Sequence, residues 1–566
     1  MIDFKKEIAK VLTDQIDQLE YDQVLEMIEI PPNPQMGDFA FPCFKLAKTL
    51  RKSPNIIAQE IVEKIGKADL FEKIENAAAY VNFFIDRTIF AKSVIEEVFH
   101  QKDKFGASAM GEGKKVIVEY SSPNIAKPFH IGHIRTTVIG HAIANIYNYL
   151  GYHVITINHL GDYGTQFGKL IVAFRNWGDE KEVEAEPIPA LLRLYVKFHE
   201  EAEKNPSLED EARLWFKKLE EGDEEALRLW QWFRDESLKE FHRVYDMLGI
   251  RFDSYAGESF YSDKMPKVLK IMEEKGLLKE SKGAEIVDLE PYGMPPALIR
   301  KSDGSTLYIT RDIAAAIYRK EHYDFYKNIY VVGSQQILHF QQWIKIIELM
   351  GYDWAKDCVH VPFGMVSLEE GTMSTRKGRV VFLEDVLNKA VEKTKEIIGA
   401  KNPNLENKDE VAKQVGIGAV VFQELSNNRI KDYVFSWDKT LSFEGETGPY
   451  VQYTHARACS ILRKAEVGLD EKIDYRLLSN EDAMNLVRLI QQFPTVVADA
   501  ARKYEPAIIT RHIVDVAQAF NKFYHDCPII VEDKALQKAR VSLVYAVKQV
   551  IRNGLALLGV AAPEKM

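Results

Sequence analysis

The chain has 566 residues, 46% of them apolar and 28% charged, and 84 Asp and Glu outweigh 74 Lys and Arg to give a formal net charge of −10. That balance argues against a protein coated all over by nucleic acid, while leaving room for a large RNA held on local basic patches. Cys43, Cys358, Cys459 and Cys527 lie far apart with no C-x-x-C pair, so neither a disulfide framework nor a zinc knuckle is expected.

The length predicts several domains. The opening MIDFKKEIAKVLTDQ interrupts its apolar positions with charge, unlike a secretory signal, and no apolar run is long enough to span a membrane; a cytoplasmic, membrane-free protein is expected. Residues 1–110 read as a separate α+β module: a Pro-rich loop, helical periodicity, a strand at AYVNFFI (79–85), then the glycine-rich linker GASAMGEGKK (106–115). KVIVEYSS (115–122) has the β-branched texture of a buried parallel strand. A Pro-punctuated loop, PNIAKPFHIGH, leads to a helix at TTVIGHAIANIYNYLGY that stops near Gly151, and VITINHLGDYG resumes as a strand. This is a βαβ unit, and the ligands of such sheets sit at the carboxyl ends of the strands.

From about 165 to 282 the pattern is helical, long and charged, an insertion whose charge reads as a solvated helix face. Sheet texture returns at NIYVVGSQQ (328–336) and CVHVPFGMV (358–366), and GTMSTRKGR (371–379) follows. Residues 111–383 are therefore expected to form one α/β domain around a parallel sheet, 384–441 a helical connector, and 442–566 an all-helical bundle.

His130, Gly132 and His133 sit where the first strand hands over to its helix. Two imidazoles three residues apart share a helix face. They could be metal ligands lacking a third partner in sequence, or core histidines. The strand-loop-helix setting favours a third reading, a phosphate site. The helix start offers free N–H groups, Gly132 lets a ligand approach the backbone, and Lys127 adds a cation.

At these residues the chain resembles a known family. SSPNIAKPFHIGHIRTTVIG is similar to the catalytic loop of the class I aminoacyl-tRNA synthetases, and His130 to His133 match their HIGH tetrapeptide letter for letter. The preceding S-P-N-x-x-K-P-x-H resembles the arginyl version of that loop, as do YITRDIAAA, VVGSQQ, GTMSTRKG, GPYVQYTHAR and the terminal LGVAAPEKM, in order along the whole chain. The resemblance implies a Rossmann-type catalytic domain with a helical insertion, an N-terminal domain that touches the tRNA elbow and a helical anticodon-binding domain. It implies ATP-dependent activation of L-arginine and its transfer to tRNA(Arg), with Mg2+ accompanying ATP, no dedicated metal site, and tRNA needed before activation. A monomer is expected.

A planar guanidinium calls for carboxylates in a matching fork. Glu119 ends the first strand, and Tyr308 and Asp312 share a face if their segment is helical. The resemblance assigns the arginine pocket to Glu119, Ser122, Asn124, Tyr308, Asp312 and Gln336, with His159 and Gln166 as weaker candidates near the second strand's end. It places adenine along Gly333, Gly364, Met365 and Val366, and the phosphates on Lys127, His130, Gly132 and His133.

The second ATP loop departs from the family pattern K-M-S-K-S. Met373 and Ser374 are kept, but Thr372 and Thr375 stand at the lysine positions. A redistribution is expected, in which Lys127 takes one phosphate contact and Arg376 or Lys377 supplies the mobile cation. In the helical C-terminus Tyr504, Phe520, Phe523 and Tyr524 have the spacing of core residues, although aromatics mixed with cations also suit unstacked bases. Asn82 and Phe84 are candidates for RNA contact in the N-terminal module. Two rivals are a nucleotidylyltransferase, which shares the H-x-G-H loop on a shorter chain, and a tRNA-binding paralogue without catalysis, which an intact Lys127, His130, His133 and Asp312 argue against.

Overall fold

The catalytic sheet grows from the β-branched runs identified above. In the computed structural model, which describes residues 1–301, 308–368, 381–465, 468 and 472–566, four strands pair in parallel: β1 (Lys115–Glu119), β2 (His153–Ile157), β3 (Lys327–Gly333) and β4 (Cys358–Phe363). Their order is β4-β3-β1-β2. The chain moves from β1 to one neighbour and later returns to the other, so the crevice beyond the ends of β1 and β3 is a topological switch point.

Helix α1 (Ile134–Tyr149) crosses from β1 to β2 and is buried along most of its length. Its close approach depends on Gly140: a Cβ there would stand 2.2 Å from Tyr120 Cβ. Residues 165–248 form a run of helices, the longest the 25-residue helix α2 (Glu224–Leu248), capped by the Asp223 side chain on Ala226 N–H. Helix α3 (Tyr308–Tyr323) precedes β3, α4 (Ile337–Leu349) joins β3 to β4, and α5 (Lys408–Ser426) lies in the connector. One core cluster under this sheet combines Ile117, Ile155 and Ile157 with Ile313, Ile317, Trp343 and Ile347.

Two features were not expected. An antiparallel three-stranded sheet occupies Leu278–Ser281, Ala284–Val287 and Ala297–Arg300. In the connector, Tyr433–Phe435 pairs in parallel with Val366–Leu368.

The chain divides into two compact units, each built from separated segments. The one just described comprises Gly106–Tyr453, Thr495–Val514 and Gly554–Met566. The other comprises Met1–Phe105, Thr454–Pro494 and Asp515–Asn553. It holds a three-stranded antiparallel sheet with Tyr80–Ile85 in the centre and a core of Leu12, Phe41, Ile57, Ile61, Val81 and Phe83. Asn82 is 1% exposed there, so it faces the interior rather than an RNA. Phe84 is half-buried under Lys73. The long C-terminal helices Gly448–Ala465, Glu481–Lys503, Ala507–Asp526 and Lys534–Leu557 match the expected bundle texture. Phe520 and Phe523 are core residues, whereas Tyr524 is exposed. Among the described residues no helix is long and apolar enough to cross a membrane.

Candidate active site

The loop after β1 is held in an unusual backbone shape. Ser121, Ser122 and Ala126 have φ of 71°, 48° and 57°, the left-handed region that non-glycine residues seldom enter. Such residues persist only where their surroundings over-determine them. Ser121 N–H donates to Thr136 Oγ1 (3.1 Å), and its hydroxyl lies 2.7 Å from Tyr245 OH and 2.9 Å from Thr137 Oγ1. Ser122 N–H donates to Asn158 Oδ1 (3.1 Å) and Ala126 N–H to Ser237 Oγ (3.1 Å). Thr136 Oγ1 donates in turn to the Val331 carbonyl (2.7 Å), tying α1 to β3. Asn124 is exposed and pairs with Gly161, where a Cβ would come within 2.1 Å of Asn124 Oδ1.

His130, Ile131, Gly132 and His133 form the 3-10 entry into α1. Gly132 N–H donates to His130 Nδ1 (3.0 Å), which fixes a neutral imidazole with its proton on Nε2. His133 Nδ1 lies 3.2 Å from His130 N and 3.3 Å from its carbonyl oxygen, and the two ring centroids are 4.1 Å apart. Burial lowers the pKa of His130. Burial, then the neighbouring His130, pushes His133 down to about 3. Both rings are uncharged at neutral pH. Burial also lowers Lys127, opposed by Glu258.

Across the crevice, Tyr308 is 61% exposed and meets the His339 ring edge-on at 5.6 Å. Asp312 lies one turn further along α3, and its carboxylate oxygen is 2.6 Å from His339 Nε2. The sequence reading had no role for His339, although it follows Gln336 by three residues at the start of α4. Gln336 itself is exposed in the 3-10 turn Ser334–Gln336.

Glu119 is 6% exposed and forms an ion pair with Arg319 at 2.6 Å. Arg319 is completely buried, over the rings of Tyr261 and Tyr330, and within 3.5 Å of His159 Nδ1. Glu119 therefore reaches the crevice already paired. Arg319 follows Asp312 by seven residues, two helical turns, a spacing that could have identified it. Gln166 donates to the Tyr163 carbonyl at 3.2 Å.

Glu258 gave no sequence signal. It lies in the short helix Glu258–Tyr261 that follows α2, pairs with Arg311 at 3.3 Å and is held by burial at about 7, with Asp312 and Asp162 raising it and Arg311 and Lys127 lowering it. Asp162 is fully buried and accepts from Ser259 N–H (2.9 Å), Ser259 Oγ (2.8 Å) and Arg234 Nε (3.3 Å).

Gly333 and Phe363 are register partners at the ends of β3 and β4. At Gly364 a Cβ would strike the Ile430 carbonyl at 2.6 Å. Met365 N–H donates to Asp432 Oδ1 (2.6 Å); Met365 is exposed and Val366 buried. Arg135, buried on α1, donates to the Gly364 and Lys431 carbonyls at 3.0 and 2.8 Å and lies 3.6 Å from buried Glu424. Met373, Ser374, Arg376 and Lys377 lie outside the described residues.

Two neutral imidazoles thus stand at a helix start after β1, and an Asp312–His339 pair joins α3 to α4. Comparison with known proteins decides the family. Residues 94–437 match the model for tRNA synthetases class I (R), catalytic domain. Residues 451–566 match the DALR anticodon binding domain, and 3–85 the arginyl tRNA synthetase N terminal domain. The chain belongs to the class I arginyl-tRNA synthetases. It is 66% identical to an arginine-tRNA ligase from Halothermothrix orenii and 65% identical to one from Clostridioides difficile, over 100% of each chain in both cases. The solved arginyl-tRNA synthetase of Thermus thermophilus superposes with a TM-score of 0.79 at 26% identity, over 100% of this chain and 99% of that one.

Proposed function

We propose that the crevice carries out the family's reaction as follows. The chain is an arginine-tRNA ligase: it activates L-arginine with ATP to arginyl-adenylate, releases pyrophosphate, and transfers the arginyl group to tRNA(Arg) with release of AMP. The arginine carboxylate attacks the α-phosphate while pyrophosphate leaves, and charge grows on the phosphoryl oxygens. His130 donates through Nε2–H, His133 lies beside it, and Gly132 leaves the backbone open to the phosphates. As neutral donors they stabilise that charge without binding pyrophosphate as a fixed cation would. Lys127 takes a phosphate contact, and Arg376 or Lys377, with Met373 and Ser374 in the same motif, supplies the second cation.

The guanidinium is met by Asp312, Tyr308 and Glu258, with Glu119 behind them in its pair with Arg319. Ser122, Asn124 and Gln336 hold the amino-acid head. Adenine lies along Gly333, Gly364, Met365 and Val366. In the second step a ribose hydroxyl of the tRNA terminus attacks the carbonyl carbon and AMP departs. Mg2+ would accompany ATP as part of the substrate complex.

The domains follow the same reading: 1–110 for the tRNA elbow, 111–383 for catalysis with the insertion at about 165–282, 384–441 as connector and 442–566 for the anticodon. The enzyme acts as a cytoplasmic monomer. The observation that carries the residue assignment is the Asp312 carboxylate, anchored by His339 and one turn along α3 from exposed Tyr308. Arginine-dependent pyrophosphate exchange into ATP, measured with and without tRNA, tests it. Exchange driven equally well by lysine would overturn the guanidinium assignment.

A further inference from the structure

Gly364 and Met365 stand at the strand end to which adenine is assigned, and three consecutive peptide groups there are held by other parts of the chain. The Gly364 N–H donates to the Arg429 carbonyl at 2.8 Å. In the next peptide group the Gly364 carbonyl accepts from Arg135 Nη1 at 3.0 Å, and the Met365 N–H donates to Asp432 Oδ1 at 2.6 Å. The Met365 carbonyl accepts from Tyr433 N–H at 3.1 Å. The Gly364–Met365 peptide plane is thus fixed at both poles. Glycine has no Cβ to hinder rotation, so the plane would turn easily without those two bonds.

Arg135 follows His133 by two residues on α1. The same Nη1 atom also donates to the Lys431 carbonyl at 2.8 Å, so helix, strand end and connector loop meet at one nitrogen. The guanidinium is fully buried, over the Tyr433 ring at 5.2 Å and 3.6 Å from Glu424, which balances its charge. A buried ion pair is costly to desolvate and adds little net stability; what this one supplies is orientation. A second guanidinium braces the strand just upstream. Arg429 Nη1 donates to the Pro362 carbonyl at 2.6 Å, and its Nε donates to the Tyr504 carbonyl at 3.0 Å.

We propose that Arg135 is a positioning residue for adenine, locking the Gly364–Met365 peptide at one angle to the His130–His133 turn, with Arg429 as its brace. Without them the polar edge of the base would meet a peptide plane free to rotate, and base and α-phosphate would lose their common frame. Binding energy at the base would then no longer place the α-phosphate for attack. The inference rests on the adenine placement proposed above and extends it to residues that touch no part of ATP.

Arg135→Lys separates orientation from charge. Lysine keeps a cation beside Glu424, but its side chain is one atom too short to reach the two carbonyls. Aminoacylation by the full-length enzyme is measured across concentrations of ATP and of inosine triphosphate, whose base carries a carbonyl in place of the amine and an N–H in place of N1. The preference for ATP, as a ratio of kcat/KM values, should fall about tenfold in Arg135→Lys and in Arg429→Lys. The arginine KM at saturating ATP should stay within about twofold of wild type. The ratio does not depend on the amount of folded enzyme, so a variant that is only less stable leaves it unmoved. Arg429→Lys, at a partly exposed position, gives the reading where Arg135→Lys does not accumulate. Gly333→Ala tests the adenine placement by itself, since its Cβ would stand on the strand end assigned to the base, 3.9 Å from Phe363 Cζ. Loss of preference in Gly333→Ala with wild-type preference in both arginine variants would overturn the positioning role. Wild-type preference in all three would overturn it together with the adenine placement.

Discussion

Replacing Asp312 by Asn removes one negative charge and little else. The carboxylate accepts from His339 Nε2 at 2.6 Å. An asparagine oxygen accepts the same bond, so the side chain keeps its place against α4. What is lost is the charge offered to the guanidinium. A hydrogen bond to a charged group contributes about 1.5–3 kcal/mol, and the upper end applies to a fork of two bonds. At about 1.4 kcal/mol per decade, the KM for arginine should rise about 10²-fold. The bond is made in ground and transition states alike, so kcat should change far less. The assay is initial-rate aminoacylation across arginine concentrations, repeated with citrulline, whose neutral ureido group has the guanidinium's shape. Preference for arginine over citrulline should fall by the same factor, because discrimination is a difference in transition-state binding. A KM within about threefold of wild type, or an unchanged preference, would show that Asp312 does not read the guanidinium.

The remaining predictions concern the other walls of the crevice. Burial holds Glu258 near 7, above the ordinary carboxylate range, so its stabilising contribution is full at acid pH and is lost as pH rises through about 7. Binding a cation needs the ionised form. Hence kcat/KM for arginine should fall about tenfold per unit below pH 7, and Glu258→Gln should flatten that limb; a slope that survives the substitution belongs to another group. In Gly161→Ala the new Cβ would meet Asn124 Oδ1 at 2.1 Å. The side chain can swing aside, so chemical denaturation should show a loss under about 1 kcal/mol, whereas the arginine KM rises about tenfold; equal KM values would remove Asn124 from the pocket. Lys127→Ala should slow adenylate formation in single-turnover quench-flow by about 10²- to 10³-fold, and an intact rate would end the idea that Lys127 replaces a lysine of the second ATP loop.

The sheet was legible because its two central strands are buried on both faces and read as continuous apolar runs: VIV in β1, IYVV in β3. The HIGH turn was legible because its chemistry is local, two histidines and a glycine at a helix start. Contacts made by residues distant in sequence were not. Glu258 reaches Arg311 and His339 reaches Asp312 through tertiary packing, and no period or spacing encodes that. The small sheet of Leu278–Ser281, Ala284–Val287 and Ala297–Arg300 was missed for a different reason. Its strands are four residues each and only partly buried, so their alternation is too short to separate from loop.

The insertion shows how a correct reading of one face can hide the other. Its charges do lie on solvated helix surface, as in exposed Asp235, Lys239 and Arg243 of α2. Yet Ser237 and Tyr245 on the opposite side of α2 hold Ala126 and Ser121, two of the three strained residues ahead of the HIGH turn. Left-handed backbone of this kind costs about 1–3 kcal/mol per residue, and α1 and β2 supply only part of the compensation, through Thr136, Thr137 and Asn158. Without α2 the loop would lose the hydroxyls that answer Ser121 Oγ and Ala126 N–H, and the strained conformation would have less to hold it. The helix that reads from sequence as inert charged surface is thus part of what fixes the backbone leading into His130–His133, and it steadies that loop as much as the sheet does.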